Sequence, residues 1–136
     1  MIAHAQAELP NECCGILAGT IGADGIARVS RCYPLVSDLD AANRDPHPPR
    51  PSPTEYLSTP ESMFAASKDM RAHGADIVAV YHSHPTSEPI PSRKDLEQNY
   101  SGTEFHFIIG LRDAEPQVRG WWLASENYRE ARWGVG

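Results

Sequence analysis

Two histidines separated by one residue follow a short apolar run, and this arrangement constrains the fold more than any other feature of the chain. The run Ile77–Val80 is apolar and mostly β-branched, which predicts a buried strand. Because side chains alternate along a strand, His82 and His84 are expected to point the same way, whereas Ser83 points to the opposite face. Pro85 is expected to end the strand. The pattern therefore predicts two imidazoles side by side at a strand end.

A Ser-x-x-Asp pattern, Ser92 to Asp95, follows seven residues after the proline. Zinc binds imidazole and carboxylate groups, and three protein ligands leave a fourth position for water, as in catalytic sites. We therefore expect His82, His84 and Asp95 to bind one zinc ion per chain. Ser92 is then available to donate a hydrogen bond to the oxyanion that develops during hydrolysis. Two plainer interpretations stay open: histidines that only pack or face solvent, and an N-cap serine with an acidic partner at the third helical position.

Hydrolysis of a peptide bond also requires a base. Zinc lowers the pKa of a bound water to about 7, and the base takes the proton of this water and passes it to the leaving amine. Residue type alone leaves four candidates, Glu12, Glu61, Glu88 and Glu97. Glu12 differs from the others because it begins an apolar strand, from which a carboxylate could reach a site on a neighbouring strand. An exposed charge at the start of a strand is the alternative for Glu12.

Composition narrows the class of protein. A chain of 136 residues, 40% of them apolar, is long enough for one domain with its own core. The formal charge of −6 argues against a nucleic-acid partner, and no stretch approaches the length of a membrane span. The first residues show neither the basic start nor the long apolar region of a signal peptide. Three cysteines without a Cys-x-x-Cys spacing are expected to be reduced, buried thiols, which favours a cytoplasmic location.

Apolar runs and turn residues predict a mixture of helices and strands. Helices are expected at 2–9, 60–73 and 93–100, and strands at 12–18, 26–34, 77–82, 105–111, 117–124 and 128–133. Residues 19–25 are expected to form a hairpin turn between the first two strands. Thr59 is expected to cap the second helix and Gly74 to end it. Six of the twelve prolines fall between Pro46 and Pro60, so 36–60 is expected to be a loop, either a surface excursion or a substrate-facing flap. The mixture predicts an α/β sandwich, in which helices cover both faces of a mixed, mostly antiparallel sheet.

The remaining histidines and the tryptophan pair are expected to be structural. His4, His47, His73 and His106 are interpreted as packing or surface residues, although alternation along its strand could turn His106 inward. One of the adjacent rings of Trp121 and Trp122 is expected in the core and the other outside.

Taken together, the segment Pro10–Gly19, the His82-Ser83-His84-Pro85 sequence and the Ser-x-x-Asp pattern resemble the JAMM (MPN+) metalloprotease family. The similarity is closest to the short bacterial members and covers roughly residues 2–122. It implies a cytidine-deaminase-like α/β/α fold, and we expect 1–136 to form a single catalytic domain. The site roles that it implies are zinc binding by His82, His84 and Asp95, general acid/base catalysis by Glu12, and stabilisation of the tetrahedral intermediate by Ser92.

The resemblance also implies a substrate. Family members hydrolyse the peptide or isopeptide bond after the C-terminal glycine of ubiquitin or ubiquitin-like proteins, through a metal-activated water. The short bacterial members resemble enzymes that trim ubiquitin-like sulfur-carrier proteins, so the tail of such a protein is the expected partner. A homodimer is left open. Family members usually carry a strand before the first helix, whereas this chain begins within that helix, so we expect a shortened or late start.

Two other functions are weighed against this one. The first is a non-catalytic MPN-type binding module, but scaffold relatives of this kind typically lack the metal ligands that are intact here. The second is a RadC-like, DNA-associated protein, which shares the His-x-His-Pro and Ser-x-x-Asp patterns. The acidic balance and the lack of a basic helical arm in the sequence argue against it.

Overall fold

The structure of the protein, a computed structural model, describes residues 1–36, 59–97 and 105–136. The helices are α1 (Ile2–Ala7), α2 (Pro60–Ala72) and α3 (Arg93–Glu97). The strands are β1 (Cys14–Ile21), β2 (Ala27–Pro34), β3 (Asp76–His84), β4 (Phe105–Gly110), β5 (Gln117–Leu123) and β6 (Tyr128–Ala131). The loop predicted at 36–60 lies outside the described residues except at its ends, and so does the last part of the helix predicted at 93–100.

The six strands form one sheet in the order β2-β1-β3-β4-β5-β6. Strands β3 and β4 run parallel, and every other neighbouring pair is antiparallel. The connection from β3 to β4 passes through α3, as a parallel pair requires a crossover. The prediction of a mixed, mostly antiparallel sheet is confirmed.

Helices cover both faces of this sheet. We call the face that carries His82 and His84 the histidine face, and the face that carries Tyr81 and Ser83 the tyrosine face. On the histidine face, α2 packs Ala66 and Met70 into a cluster with β1 and β3, and Leu96 of α3 packs near β4 and β5. On the tyrosine face, α1 packs into a second cluster, whose buried members are Ala5, Cys13, Leu17, Ala79, Tyr81, Phe107 and Ile109. This is the layered α/β/α arrangement that the sequence predicts.

The boundaries of α2 follow from local chemistry. Thr59 caps the helix, since its hydroxyl accepts a hydrogen bond from the Ser62 N–H, and Pro60 occupies the first turn, where a missing N–H costs nothing. Gly74 follows the helix with a φ of +62°, a conformation that glycine adopts without strain. The predicted helix, its N-cap at Thr59 and its stop at Gly74 are confirmed. Among the described residues, no helix combines the length and the apolar character needed to cross a bilayer.

The prediction for β1 was wrong at both ends. The strand begins at Cys14 rather than Glu12, and it continues through Gly19 to Ile21, where a turn was expected. The β1·β2 register shifts between Ala18 and Gly19, and the β2 backbone lies very close to β1 at this point. A Cβ at Gly19 would lie 1.9 Å from the Arg28 carbonyl oxygen, so glycine here marks a close approach of two strands rather than a turn.

Strand β3 is also longer than predicted, and this matters for the site. It continues through His84, because the His84 carbonyl accepts a hydrogen bond from the Leu111 N–H at 3.0 Å and His84 pairs with Gly110 of β4. Both histidines therefore sit on regular strand backbone.

The thiols and the tryptophans divide between core and surface. The three cysteines form no disulfide, as expected, but only Cys13 is buried; Cys32 is exposed, because it lies on the outermost strand β2. The expectation that all three are buried was therefore wrong. Trp121 is 4% exposed and Trp122 is 40% exposed, which confirms the predicted split.

Candidate metal centre and active site

The end of β3 supplies the two imidazoles. Their Nε2 atoms lie 3.2 Å apart on the histidine face, and the ring of His84 is almost fully buried. Ser83, between them in sequence, points to the tyrosine face and is completely buried. The alternation predicted from the strand pattern is confirmed.

The start of α3 supplies the carboxylate. The Ser92 hydroxyl accepts a hydrogen bond from the Asp95 N–H at 3.1 Å, and the Asp95 Oδ2 accepts one from the Ser92 N–H at 2.7 Å. This is the reciprocal capping arrangement, here with Asp at the third helical position. Leu96 packs against the cluster of Ile108, Trp121 and Leu123, which fixes the helix start against β4 and β5. The capping interpretation and the ligand interpretation of this pattern are thus compatible, because the cap orients the carboxylate.

His82, His84 and Asp95 converge on one point. The His82 Nε2 lies 3.2 Å from the Asp95 Oδ1, and the His84 Nε2 lies 3.2 Å from the Asp95 Oδ2. Ligands bound at about 2.0–2.1 Å to a tetrahedral zinc are about 3.3–3.4 Å apart, so the observed spacings fit that ion. The donor set, two nitrogens and one carboxylate oxygen within 4.8 Å of one another, fits it as well.

Contacts behind the ligands fix their orientation. The His84 Nδ1 lies 2.8 Å from the Glu88 carbonyl oxygen, so a proton on Nδ1 leaves Nε2 as the lone-pair donor. The next carbonyl, that of Pro89, accepts a hydrogen bond of 2.9 Å from the indole N–H of Trp121. Gly110 leaves room for this loop, since a Cβ there would lie 2.6 Å from the Pro89 Cδ. The loop before α3 is thereby attached to the sheet at the point where it orients His84.

Electrostatics favour a charged cluster. Burial raises the pKa of Asp95, but hydrogen bonds to His82 and His84 outweigh it and hold the pKa far below its usual range. Burial likewise lowers the pKa of His84, and the hydrogen bonds to Asp95 and to the Glu88 carbonyl outweigh it, so that the pKa is raised. The carboxylate is ionised at neutral pH, as a metal ligand must be.

Glu12 is the one base candidate that the structure brings to this cluster. Cys14 pairs with His82, and Ser83 and Cys13 are joined by a backbone hydrogen bond, so Glu12 lies beside His84 when the register is extended by one step. Residues paired in this way share a face of the sheet, which puts Glu12 on the histidine face.

The environment of Glu12 differs from that of the other glutamates. Burial raises the pKa of Glu12, and the charges of His82 and His84 act against this shift, which reflects their proximity. Glu88 and Glu97 are more than half exposed and pair with Arg112 and Arg93, respectively, and Glu61 is exposed in the first turn of α2. These three are therefore not brought into the site.

One residue near the site was given only a structural interpretation in the sequence. His106 of β4 is 6% exposed, and its ring centroid lies 6.4 Å from that of His82 in an edge-on arrangement. Alternation along β4 places His106 on the same face of the sheet as His82, and this alternation was the feature of the sequence that could have predicted its position near the site. His4 and His73 lie elsewhere, His4 against the Tyr81 hydroxyl and His73 beside Asp69 at the end of α2.

The architecture is that of a JAB/MPN domain. The crystal structure of a JAB1/MPN domain protein from Archaeoglobus fulgidus matches 96% of this chain and 85% of that one, with a TM-score of 0.54 and 17% identity, which establishes the fold alone. A solution structure of a protein from Desulfitobacterium hafniense matches with a TM-score of 0.76 and 30% identity, over 96% of this chain and 82% of that one.

The chain belongs to the family described as prokaryotic homologs of the JAB domain, which matches residues 1–124. It is 32% identical over 113 residues to the CysO-cysteine peptidase of Mycobacterium tuberculosis, covering 83% of this chain and 68% of the relative. It is 30% identical over 126 residues to the desampylase of Haloferax volcanii, covering 93% of this chain and 79% of that relative. It is 32% identical over 97 residues to a probable TtuB-protein conjugate cleaving protease of Thermus thermophilus, covering 71% of this chain and 54% of that relative.

Proposed function

We propose that this protein is a zinc-dependent peptidase or isopeptidase that hydrolyses the amide bond after the C-terminal glycine of a ubiquitin-like, sulfur-carrier type of protein. The observation that carries the proposal is the convergence of His82, His84 and Asp95, with Glu12 arriving at the same strand end from β1. An inert structural zinc site needs a fourth protein ligand, whereas three ligands beside a carboxylate suit hydrolysis.

The relatives support the reaction class. Their names describe a peptidase, a desampylase and a protease that cleaves TtuB–protein conjugates, and the first two align with more than four fifths of this chain. The substrate class follows from these names together with the resemblance of the motifs. We propose that residues 1–136 act as one catalytic domain, since the family match spans nearly all of them.

His82, His84 and Asp95 would hold the zinc ion through two Nε2 atoms and a carboxylate oxygen. When bound, zinc supplies Lewis-acid polarisation of the scissile carbonyl and lowers the pKa of water to about 7. The chain contributes the orientation of two of the three ligands, because the Glu88 carbonyl fixes the tautomer of His84 and the Ser92 N–H holds the carboxylate.

Glu12 is assigned the proton transfers. Its carboxylate oxygen would accept a proton from the attacking water and then deliver it to the nitrogen of the leaving amine. A general base works best when its pKa lies near the operating pH, and burial moves the pKa of Glu12 in that direction. The partly buried position also keeps bulk water from competing for the proton.

Ser92 is assigned to the oxyanion. Its oxygen already accepts the Asp95 N–H, so the rotation of the hydroxyl is restricted and its hydrogen remains available as a donor. A donor held in place before the reaction stabilises developing negative charge without a reorganisation cost.

The proposal is tested by incubating the zinc-loaded chain with ubiquitin-like sulfur carriers from the same genome, each extended beyond the Gly-Gly terminus. Mass spectrometry locates the cleavage, and a chelator-treated sample and the Glu12→Gln variant serve as controls. Cleavage after the terminal glycine that disappears in both controls is the expected result. Background cleavage that the chelator leaves unchanged, on every carrier, would contradict the proposal.

A further inference from the structure

The residue between the two histidines has an unusual environment for a serine. Ser83 is completely buried on the tyrosine face, directly behind the His82 and His84 pair. A hydroxyl withdrawn from water in this way must be hydrogen-bonded to be tolerated. Its partners therefore indicate what it does.

All the hydrogen bonds described for Ser83 outside regular sheet pairing go to one residue. The Ser83 hydroxyl accepts a hydrogen bond of 2.8 Å from the Cys13 N–H, and the Ser83 N–H donates one of 3.0 Å to the Cys13 carbonyl. The N–H and the carbonyl of Cys13 are thus both bonded to Ser83, and Cys13 is the residue that directly follows Glu12.

These bonds lie where the regular sheet ends. The β1·β3 ladder stops at the Cys14–His82 pair, so beyond it no continuous backbone pairing fixes the chain that carries Glu12. In a regular antiparallel ladder the Cys13 N–H would donate to a backbone carbonyl of β3, whereas here it donates to the Ser83 side chain. The position of Glu12 relative to His84 thus depends on a side chain.

We propose that Ser83 is a positioning residue for the peptidase reaction: its hydroxyl holds Cys13 and thereby sets the Glu12 carboxylate against the metal ligands. This inference rests on the proposed function, the zinc-dependent peptidase reaction. The end of β3 then has a separate function on each face of the sheet. The histidines bind the metal on one side, and the serine between them aligns the base from the other side.

Removal of the hydroxyl should therefore affect proton transfer and leave metal binding intact. In Ser83→Ala the Cys13 N–H loses its acceptor, so that Cys13 keeps only the bond from the Ser83 N–H to its carbonyl, and the segment before β1 can shift; His82, His84 and Asp95 keep all of their described contacts. A displacement of about 1 Å in a catalytic group can reduce a rate by about 100-fold. Because the effect acts through Glu12, it should vanish when Glu12 can no longer transfer protons.

The test is a double-mutant cycle of wild type, Ser83→Ala, Glu12→Gln and the double variant, each measured for kcat, KM and bound zinc. Ser83→Thr keeps the hydroxyl and is measured in parallel. Thr59→Ala is the matched control, since it also removes a hydroxyl that accepts a backbone N–H, but at the start of α2. Amide exchange at Cys13 in the metal-free protein gives a readout that does not depend on activity. Should Ser83→Ala fail to fold, Ser83→Cys, of similar size but a weak acceptor, takes its place.

We expect Ser83→Ala to lower kcat by about 30–100-fold with KM and zinc content nearly unchanged, and to expose the Cys13 amide to exchange. In the Glu12→Gln background the same change should lower kcat by less than about threefold, and Thr59→Ala should leave kcat unchanged. Wild-type kcat in Ser83→Ala, or an equal loss in the Glu12→Gln background, would overturn the inference and leave the proposed function standing. A wild-type chain that cleaves no carrier would overturn both.

Discussion

Helices α2 and α3 begin with the same local device, yet only one of them is part of the candidate site. The hydroxyl of Thr59 accepts the N–H of Ser62 at 3.2 Å, and the hydroxyl of Ser92 accepts the N–H of Asp95 at 3.1 Å. At α2 the third helical residue turns back on the cap, where the Ser62 hydroxyl donates to the Thr59 carbonyl. At α3 the third residue also contacts both histidines of β3.

The difference lies in the third residue and in what it faces. A capping pattern organises a helix start wherever it occurs. It becomes half of a metal site when its acidic member is placed against a strand end that carries two imidazoles. The cap then holds the carboxylate in place, so equivalent hydrogen bonds serve helix stability at α2 and, in the proposed site, both helix stability and metal binding at α3.

Exchange of Asp95, the acidic residue of the α3 cap, should have the largest effect, which is a loss of zinc affinity. In Asp95→Asn the side-chain oxygen still accepts the Ser92 N–H, so the helix start survives, but the charge that binds the metal is lost. Loss of a residue that only orients a ligand typically lowers metal affinity by about 10–100-fold, so loss of the ligand itself should exceed about 100-fold. Isothermal titration with zinc measures this, and Ser62→Ala at the equivalent place of α2 is the control. Zinc affinity unchanged in Asp95→Asn would show that α3 is no different from α2.

The Glu12→Gln variant separates zinc binding from catalysis at the candidate site that α3 helps to form. Glutamine keeps the size of the side chain but cannot accept and return a proton, so the cleavage rate should fall by about 100–10,000-fold. Zinc affinity should be retained, because Glu12 is not among the three ligands. Undiminished cleavage in this variant would exclude Glu12 as the base and reopen the choice among Glu61, Glu88 and Glu97.

Ser92→Ala and Thr59→Ala compare the two caps directly. Both should lower the free energy of unfolding by about 1 kcal/mol, the usual value of a side-chain cap, or Tm by about 4 °C. Only Ser92→Ala should also slow cleavage, by about 100-fold, because its hydroxyl is assigned to the oxyanion as well. Equal cleavage rates in the two variants would reduce Ser92 to a structural cap.

Metal-free protein should show a pH dependence that the cap of α2, which has no titratable side chain at Thr59 or Ser62, does not produce. The pKa of His84 is raised above 6.5, so its contribution to stability is complete below that pH and is lost as the pH rises through the folded value. The pKa of Asp95 is lowered below 3.8, so its contribution is present above that pH and is lost as the pH falls. Glu12, whose pKa is raised above 4.5, adds a loss that begins as the pH rises past that value.

Denaturant unfolding in chelator from pH 4 to pH 9 measures this dependence, in the Glu12→Gln background to isolate the pair. We expect the stability to fall above about pH 6.5, and the fall to disappear in Asp95→Asn. Thr59→Ala should shift the whole curve down without a change of shape. A fall that persists in Asp95→Asn would mean that another group causes it.

How much of this could be read from the sequence depends on the range of the interaction. The helix starts and the common face of His82 and His84 follow from patterns of a few residues and were predicted correctly, whereas the strand was predicted to end at residue 82 and continues to His84. The approach of Asp95 to His82 and His84, on which the proposed zinc site depends, required only that α3 fold back onto β3, which the short connection favours.

Interactions between distant strands were harder to predict. The contact between Gly19 and the Arg28 carbonyl depends on how β1 and β2 approach each other, so a strand residue was mistaken for a turn. The hydrogen bond from Cys13 to Ser83 joins residues seventy positions apart, and no local pattern reports it. Glu12 was distinguished from the other three glutamates by its place at the start of an apolar strand, but only the family resemblance gave it the role of base, since the register of β1 on β3 decides which carboxylate reaches the site.

The claim that the α3 cap supplies a metal ligand is tested most directly by X-ray absorption at the zinc edge of the loaded protein, with Asp95→Asn for comparison. Cys14 pairs with His82, so a sulfur ligand is the relevant alternative. We predict only nitrogen and oxygen ligands at about 2.0–2.1 Å, with two imidazoles, and loss of this spectrum in Asp95→Asn. A sulfur ligand at about 2.3 Å, or an identical spectrum in Asp95→Asn, would contradict the account.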